Sequence, residues 1–212
     1  MIDILYEDPY IYVCFKPAGM PVQSGRGLKR DMLSYLLEKR ALAHEELYAH
    51  VFTRLDEPVS GLCLVGKDPR YVGLWDKTPI TKTYEAIVTG ELEAGHRILK
   101  AYIRHDKKNN ISVVTDDKVP DSKEAILEYD TVESLVVDSV PCTRIRVRLV
   151  TGRHHQIRAM FAHIGHPLFA DRKYGVSVPL RSVALCAVRL EFRHPVTHKD
   201  IDIRTEWKYY EE

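Results

Sequence analysis

Residues 144–149 read Arg-Ile-Arg-Val-Arg-Leu, so that Ile145, Val147 and Leu149 alternate with Arg144, Arg146 and Arg148. In a strand, successive side chains point to opposite faces, so this run predicts one apolar face and one wet, basic face. A one-faced strand belongs to an antiparallel sheet rather than to a doubly wound parallel one. Other short β-branched and aromatic runs support the same class. They predict strands at 2–6, 10–15, 62–65, 83–88, 98–103, 111–115, 125–129, 143–150, 183–192 and 201–204. Helices are expected at 31–40, where Met32, Leu33, Leu36 and Leu37 share a face between Asp31 and the pair Lys39, Arg40, and at 69–76 and 156–164. Strands outnumber helices without alternating regularly with them, which predicts an α+β fold with a mixed, mostly antiparallel central sheet flanked by helices and loops. No repeat, low-complexity tract or Gly/Ser linker interrupts the chain. One domain over residues 1–212 is expected.

Charge at first gives no hint of a partner. Lys and Arg number 31 against 30 Asp and Glu, a net of +1 that lends no bulk support to nucleic-acid or membrane binding. The charges are unevenly spread, however. Between Arg144 and Gly175 stand seven cations and one acid, and between Asp116 and Asp138 eight acids and two lysines. The basic block reads as a nucleic-acid footprint and the acidic block as a surface lying elsewhere. The cysteines, Cys14, Cys63, Cys142 and Cys186, sit far apart in apolar runs and form no C-x-x-C pair, which predicts buried thiols in a reducing compartment. With no signal-like N-terminus and no long apolar stretch, a cytoplasmic protein is expected.

Two tempting motifs fail on physical grounds. Gly61-Leu-Cys-Leu-Val-Gly66-Lys67-Asp68 approaches a P-loop, but its centre is an apolar strand and Asp68 stands where a hydroxyl should bind metal. His154, His155, His163 and His166 lack the carboxylate or thiolate partners of a metal site, so no metal is expected. More informative are Thr53-Arg54-Leu55-Asp56-Glu57-Pro58-Val59-Ser60-Gly61 and Thr151-Gly152-Arg153-His154-His155-Gln156-Ile157-Arg158. Asp56 lies between apolar stretches, where a carboxylate is costly to bury without a cation.

These segments resemble the RluA family of RNA pseudouridine synthases. Arg54-Leu55-Asp56 with Ser60-Gly61 matches the H-R-L-D-x-x-T-S-G motif, and Lys82-Thr83-Tyr84-Glu85-Ala86 matches K-x-Y-x-A. Thr151 to Arg158 matches T-G-R-x-H-Q-I-R, followed by Gly165-His166-Pro167-Leu168, Asp171 and Tyr174-Gly175. Lys16-Pro17-Ala18-Gly19 with Pro21-Val22 matches K-P-A-G-x-P-V. Five positions depart from the pattern: Thr53 for His, Val59 for Thr, Met160 for His, Ala170 for Gly and Cys186 for His.

The resemblance implies a pseudouridine synthase catalytic domain without an N-terminal S4-type domain, acting as a monomer on structured RNA, with tRNA ahead of rRNA, and needing neither cofactor nor metal. Asp56 would be the catalytic carboxylate, as a nucleophile on the ribose or as a base that starts elimination. Arg158 would pair with it, and Tyr84 would stack on the uracil and serve as the late base. Arg54 would fill the place of the flipped nucleotide. RNA would contact Arg144, Arg146, Arg148, Arg153, His155, Gln156, Arg172 and Lys173. The rivals are a catalytically weak RNA-binding protein or chaperone on the same scaffold and, more remotely, a glycoside hydrolase pairing Asp56 with Glu57 or Glu85.

Overall fold

A computed structural model describes residues 2–24, 30–175, 177–179 and 181–209. In chain order the elements are β1 (Asp3–Glu7), β2 (Ile11–Lys16), α1 (Met32–Leu42), β3 (His50–Val51), β4 (Ser60–Gly66), α2 (Val72–Trp75), β5 (Ile80–Thr89), β6 (His96–Asp106), β7 (Ile111–Thr115), β8 (Lys123–Val137), β9 (Val140–Leu149), α3 (Gln156–His163), β10 (Leu185–Arg193) and β11 (Asp200–Arg204). The chain divides into two compact units. One comprises residues 1–82 and 186–208, the other 83–185 and 209–212.

In the first unit β2 is antiparallel to both β1 and β4, β3 is antiparallel to β4, β4 is parallel to β10, and β10 is antiparallel to β11. The centre of this sheet is buried on both faces. Tyr12, Cys14, Cys63 and Val65 pack with Met32, Leu33 and Leu36 of α1, while the alternate residues Ile11, Val13, Leu62 and Leu64 pack with Trp75, Leu190 and Phe192. Two-sided burial explains why β2 and β4 read as continuous apolar runs and why 61–66 is a strand rather than a phosphate loop. Helix α1 begins where expected: Asp31 accepts the Ser34 amide at 2.7 Å as its N-cap. The expected helix at 69–76 is instead a 3₁₀ turn (Pro69–Tyr71) followed by the single turn α2.

The second unit is an antiparallel sheet in the order β5-β9-β8-β6-β7. Tyr84, Ala86, Ile145, Val147, Leu127 and Tyr129 are buried in it, and the rings of Tyr129 and Phe161 of α3 meet edge-on at 5.2 Å. The two units together bear out the expected α+β class. The expected separation of the charge blocks is corrected. Register places Glu128 opposite Arg148, Asp130 opposite Arg146 and Glu133 opposite Arg144, so part of the acidic block runs beside the arginine row, where Glu128 pairs with Arg148 and Glu133 with Arg144.

Among the described residues no helix is long and apolar enough to cross a membrane, and no group of three or more His, Cys, Asp or Glu is placed to hold a metal ion.

Candidate active site

Asp56 sits half-buried on the loop between β3 and β4, where its carbonyl accepts the Val59 amide at 3.1 Å in a turn. The next residue anchors that turn. The Glu57 carbonyl accepts the Gly19 amide at 2.8 Å and the Lys16 ammonium at 3.2 Å. Lys16 also donates to the carbonyls of Pro17 (2.9 Å) and Met20 (2.8 Å), so its three N–H donors meet three backbone acceptors. Its side chain is wholly buried at the end of the apolar strand β2. Burial draws its pKa down to about 8, while Cys63, Asp56, Glu57 and Cys186 pull the other way. Lys16 is thus a cation acting on Asp56 within this unit. Sequence reasoning left it unassigned, although an apolar strand ending in Lys-Pro-Ala-Gly was a usable sign.

Two glycines of the matched motifs have steric reasons. Gly19 adopts φ +78°, which lets its amide turn back to Glu57. A Cβ on Gly61 would lie 2.4 Å from the Ala187 backbone, because β4 and β10 approach closely just beyond Asp56. Arg54 is exposed on the same loop.

The other expected residues belong to the second unit. Tyr84 lies on β5, 6% exposed and opposite Val147. On the opposite face of that strand, Glu85 receives the NH2 groups of both Arg144 and Arg146, the latter at 2.9 Å. Burial pushes the Glu85 carboxyl upward, but the two guanidinium groups outweigh it and hold its pKa below the ordinary value. Arg144 also reaches Glu133, and Arg148 pairs with Glu128. The row expected to lie open to RNA is therefore compensated by carboxylates.

Gln156 and Arg153, also expected at the RNA, brace their own loop. The Gln156 side chain is 3% exposed; its oxygen accepts from Thr151 Oγ1 (3.0 Å) and the Arg153 amide (2.9 Å), and its NH2 group donates to the Ile126 carbonyl (3.0 Å). Arg153 Nε donates to the Glu124 carbonyl at 2.8 Å. His155, the residue before α3, has φ +51°, a conformation uncommon for a side-chain-bearing residue, and its Nδ1 lies 2.8 Å from the Tyr174 hydroxyl. Arg172 and Lys173 are exposed.

Arg158, buried in α3, makes a bidentate pair with Asp171: Nε to Oδ2 and NH2 to Oδ1, both 2.8 Å. This planar, two-bond geometry is the one arginine is built for. Asp171 is fully buried and also accepts the amides of Lys173 (2.9 Å) and Tyr174 (3.2 Å), while the Arg158 guanidinium lies 5.3 Å from the Tyr174 ring centre. Burial alone would raise the Asp171 pKa. The hydrogen bonds and charge of Arg158, with the two amides, outweigh burial and lower it.

A family model described as RNA pseudouridylate synthase matches residues 10–163. The chain belongs to that family. The resemblance to its RluA branch agrees with the curated relatives. Ribosomal large subunit pseudouridine synthase D of Vibrio cholerae serotype O1 is 34% identical over 221 residues, covering 95% of this chain and 66% of the relative. The protein of the same name from Haemophilus influenzae is 33% identical, covering 92% and 64%. The chain thus spans just under two thirds of the length of these relatives. Solved structures share the fold: Human RNA Pseudouridylate Synthase Domain Containing 1 superposes with a TM-score of 0.78 at 18% identity, covering 98% of this chain and 84% of that one. Human RNA Pseudouridylate Synthase Domain Containing 4 gives 0.78 at 17%, covering 98% and 89%.

The five departures from the family motifs share one property: all are buried. Thr53 is 2% exposed, Val59 2%, Met160 2%, Ala170 3% and Cys186 0%. They are changes of packing. Thr53 Oγ1 accepts the Leu64 amide at 2.7 Å and ties the Asp56 loop to β4. Ala170 keeps the left-handed conformation suited to the family's glycine, at φ +59°. The strain, about 1–2 kcal/mol, is partly offset by about 0.8 kcal/mol for one buried methyl.

Two predictions follow from the buried ions. Replacing Lys16 by Met orphans three carbonyls, so Lys16→Met should lower the unfolding free energy by roughly 3 kcal/mol at neutral pH, measured by urea denaturation. In the wild type, stability should gain a rising component between the folded pKa of about 8 and the ordinary 10.5, because only the unfolded chain still holds the Lys16 proton there. Lys16→Met should lose that component; an unchanged curve would contradict the assignment. Asp171 has the opposite linkage. Its stabilisation is complete above its unfolded pKa of about 3.9 and is lost as pH falls through the lower folded value. Asp171→Asn should cost roughly 3–5 kcal/mol at pH 7 and flatten the acid limb of the stability curve, and a wild-type acid limb would count against it.

Proposed function

We propose that this chain is an RNA pseudouridine synthase that isomerises a uridine of large-subunit ribosomal RNA. The observation that carries the reading is Asp56 itself, a half-buried carboxylate on a turn anchored by a buried ammonium, in a chain of this family. Names of the relatives favour ribosomal RNA over the tRNA that the sequence put first.

The isomerisation breaks the bond between C1′ and N1, turns the uracil, joins C5 to C1′ and releases the C5 proton. It leaves every atom in the product except that proton, which exchanges with water, and it requires no redox partner. Asp56 acts on the ribose either by attacking C1′ to give an ester or by removing the C2′ proton to give a glycal. In each route, as the family resemblance implies, Arg158 pairs with this carboxylate. Its fixed bonds to Asp171 hold the Arg158 guanidinium in one orientation. Tyr84 stacks on the uracil and removes the C5 proton after the new bond forms. Arg54, exposed on the Asp56 loop, takes the flipped nucleotide's place in the RNA stack and offsets part of the few kcal/mol of unstacking. Exposed Arg172 and Lys173 lie toward the phosphates. In this reading residues 1–212 form one catalytic domain that acts as a monomer in the cytoplasm; four buried cysteines without a disulfide fit that reducing compartment.

Incubation with ribosomal RNA carrying tritium at C5 of its uridines should release tritium to water. Asp56→Asn should reduce release by at least about 100-fold, and Tyr84→Phe should keep RNA binding while losing a similar factor. A folded wild type that binds RNA without release, or equal release by Asp56→Asn, would overturn the enzyme reading in favour of an RNA-binding protein.

A further inference from the structure

The β6–β7 hairpin carries an aromatic arrangement that the motifs did not announce. Register sets His105 opposite Ser112. The His105 ring stacks on His154 with centroids 3.9 Å apart, and His154 stacks on His155 at 3.6 Å, both pairs tilted by 28°. The inner end of this three-ring column is fixed. His155 bonds the Tyr174 hydroxyl, which also accepts the Ser112 amide at 2.6 Å, and Ser112 Oγ donates to the His154 carbonyl at 2.5 Å. The outer ring, His105, is exposed.

The surroundings of that ring are cationic. Lys107 and Lys108 follow it, both exposed, and Lys173 reaches the hairpin through a 2.8 Å bond to the Asn110 carbonyl. Nearby acids are already engaged. Asp106 accepts the amides of Lys108 (3.0 Å) and Asn109 (3.2 Å) and the Asn109 side-chain NH2 (2.7 Å), and Asp171 lies buried against Arg158. Arg104 points to the other face of β6, where it lines a groove with Asp121. A flat ring held rigidly at stacking distance from its neighbour, exposed and flanked by lysines, has the chemistry of a platform for an unpaired base.

We propose that His105 receives an unpaired base of the RNA on its exposed ring, extending the histidine column, while Lys107, Lys108 and Lys173 follow the adjoining phosphates. The inference rests on RNA being the substrate. Any base can occupy the platform, because every base offers a π face.

Binding is measured by fluorescence anisotropy with a labelled short oligouridylate and, separately, with a fully paired RNA duplex. His105→Ala should weaken oligouridylate binding about fivefold or more, and His105→Phe, which keeps a ring, should stay within about twofold of wild type. Neither should change duplex affinity. Joint replacement Lys107→Ala with Lys108→Ala should weaken both ligands and make binding less sensitive to salt. Wild-type oligouridylate affinity in His105→Ala, or an equal loss in His105→Phe, overturns the platform. Tritium release measured on the same preparations separates the two readings: release without His105-dependent binding sinks the platform alone, and His105-dependent binding without release sinks the enzyme alone.

Discussion

A lysine ammonium enclosed by protein and satisfied by three backbone carbonyls is the constraint on which the Asp56 loop depends. Strand β2 is apolar on both faces, so it carries Lys16 into the interior, where a charge survives only with its donors fully used. The carbonyls that use them belong to Pro17, Met20 and Glu57, two of them from the Lys-Pro-Ala-Gly loop and one from the turn of Asp56. One buried cation therefore fixes the shape of a loop and the position of a turn. Gly19 and Gly61 are part of the same solution, the first by its backbone conformation and the second by leaving room for Ala187.

The second unit follows the same rule with a different pair. Arg158 and Asp171 are both buried, and each satisfies the other through two parallel bonds. Outside the core, charges are used less economically: Arg144 and Arg146 converge on Glu85, and Arg148 turns to Glu128. This local neutralisation gives the net charge of +1 its meaning. The basic block is no open stripe. Exposed cations on loops and hairpin tips include Arg54, Lys107, Lys108, Arg172 and Lys173.

Much of the fold was legible because burial imposes period. The alternation at 144–149 gave β9, and the run 111–115 coincides with β7. Legibility failed where burial ceased to alternate. Strand β8 continues from the expected 125–129 to Val137, but beyond Tyr129 it is mostly exposed and passes a bulge between Thr131 and Glu133, so hydrophobicity marks no face. Strand β3, two residues long, is held by pairing with β4 rather than by any pattern of its own. The candidate residues Asp56, Tyr84 and Arg158 were named by the family resemblance of their motifs. Other contacts were not, because Lys16 meets Glu57 across 41 positions and the histidine column joins His105 to His154 through the fold alone. The carboxylate partners of the arginine row were illegible for a related reason: a sequence shows where charges lie along a strand but not which strand will lie beside it.

The most direct test of the central claim is to map pseudouridines, by carbodiimide modification and primer extension, in unmodified large-subunit ribosomal RNA after incubation with the purified chain. The account predicts new stops at one or a few defined uridines with the wild type and none with Asp56→Asn. A folded wild-type protein that leaves every uridine of that RNA unchanged would contradict it.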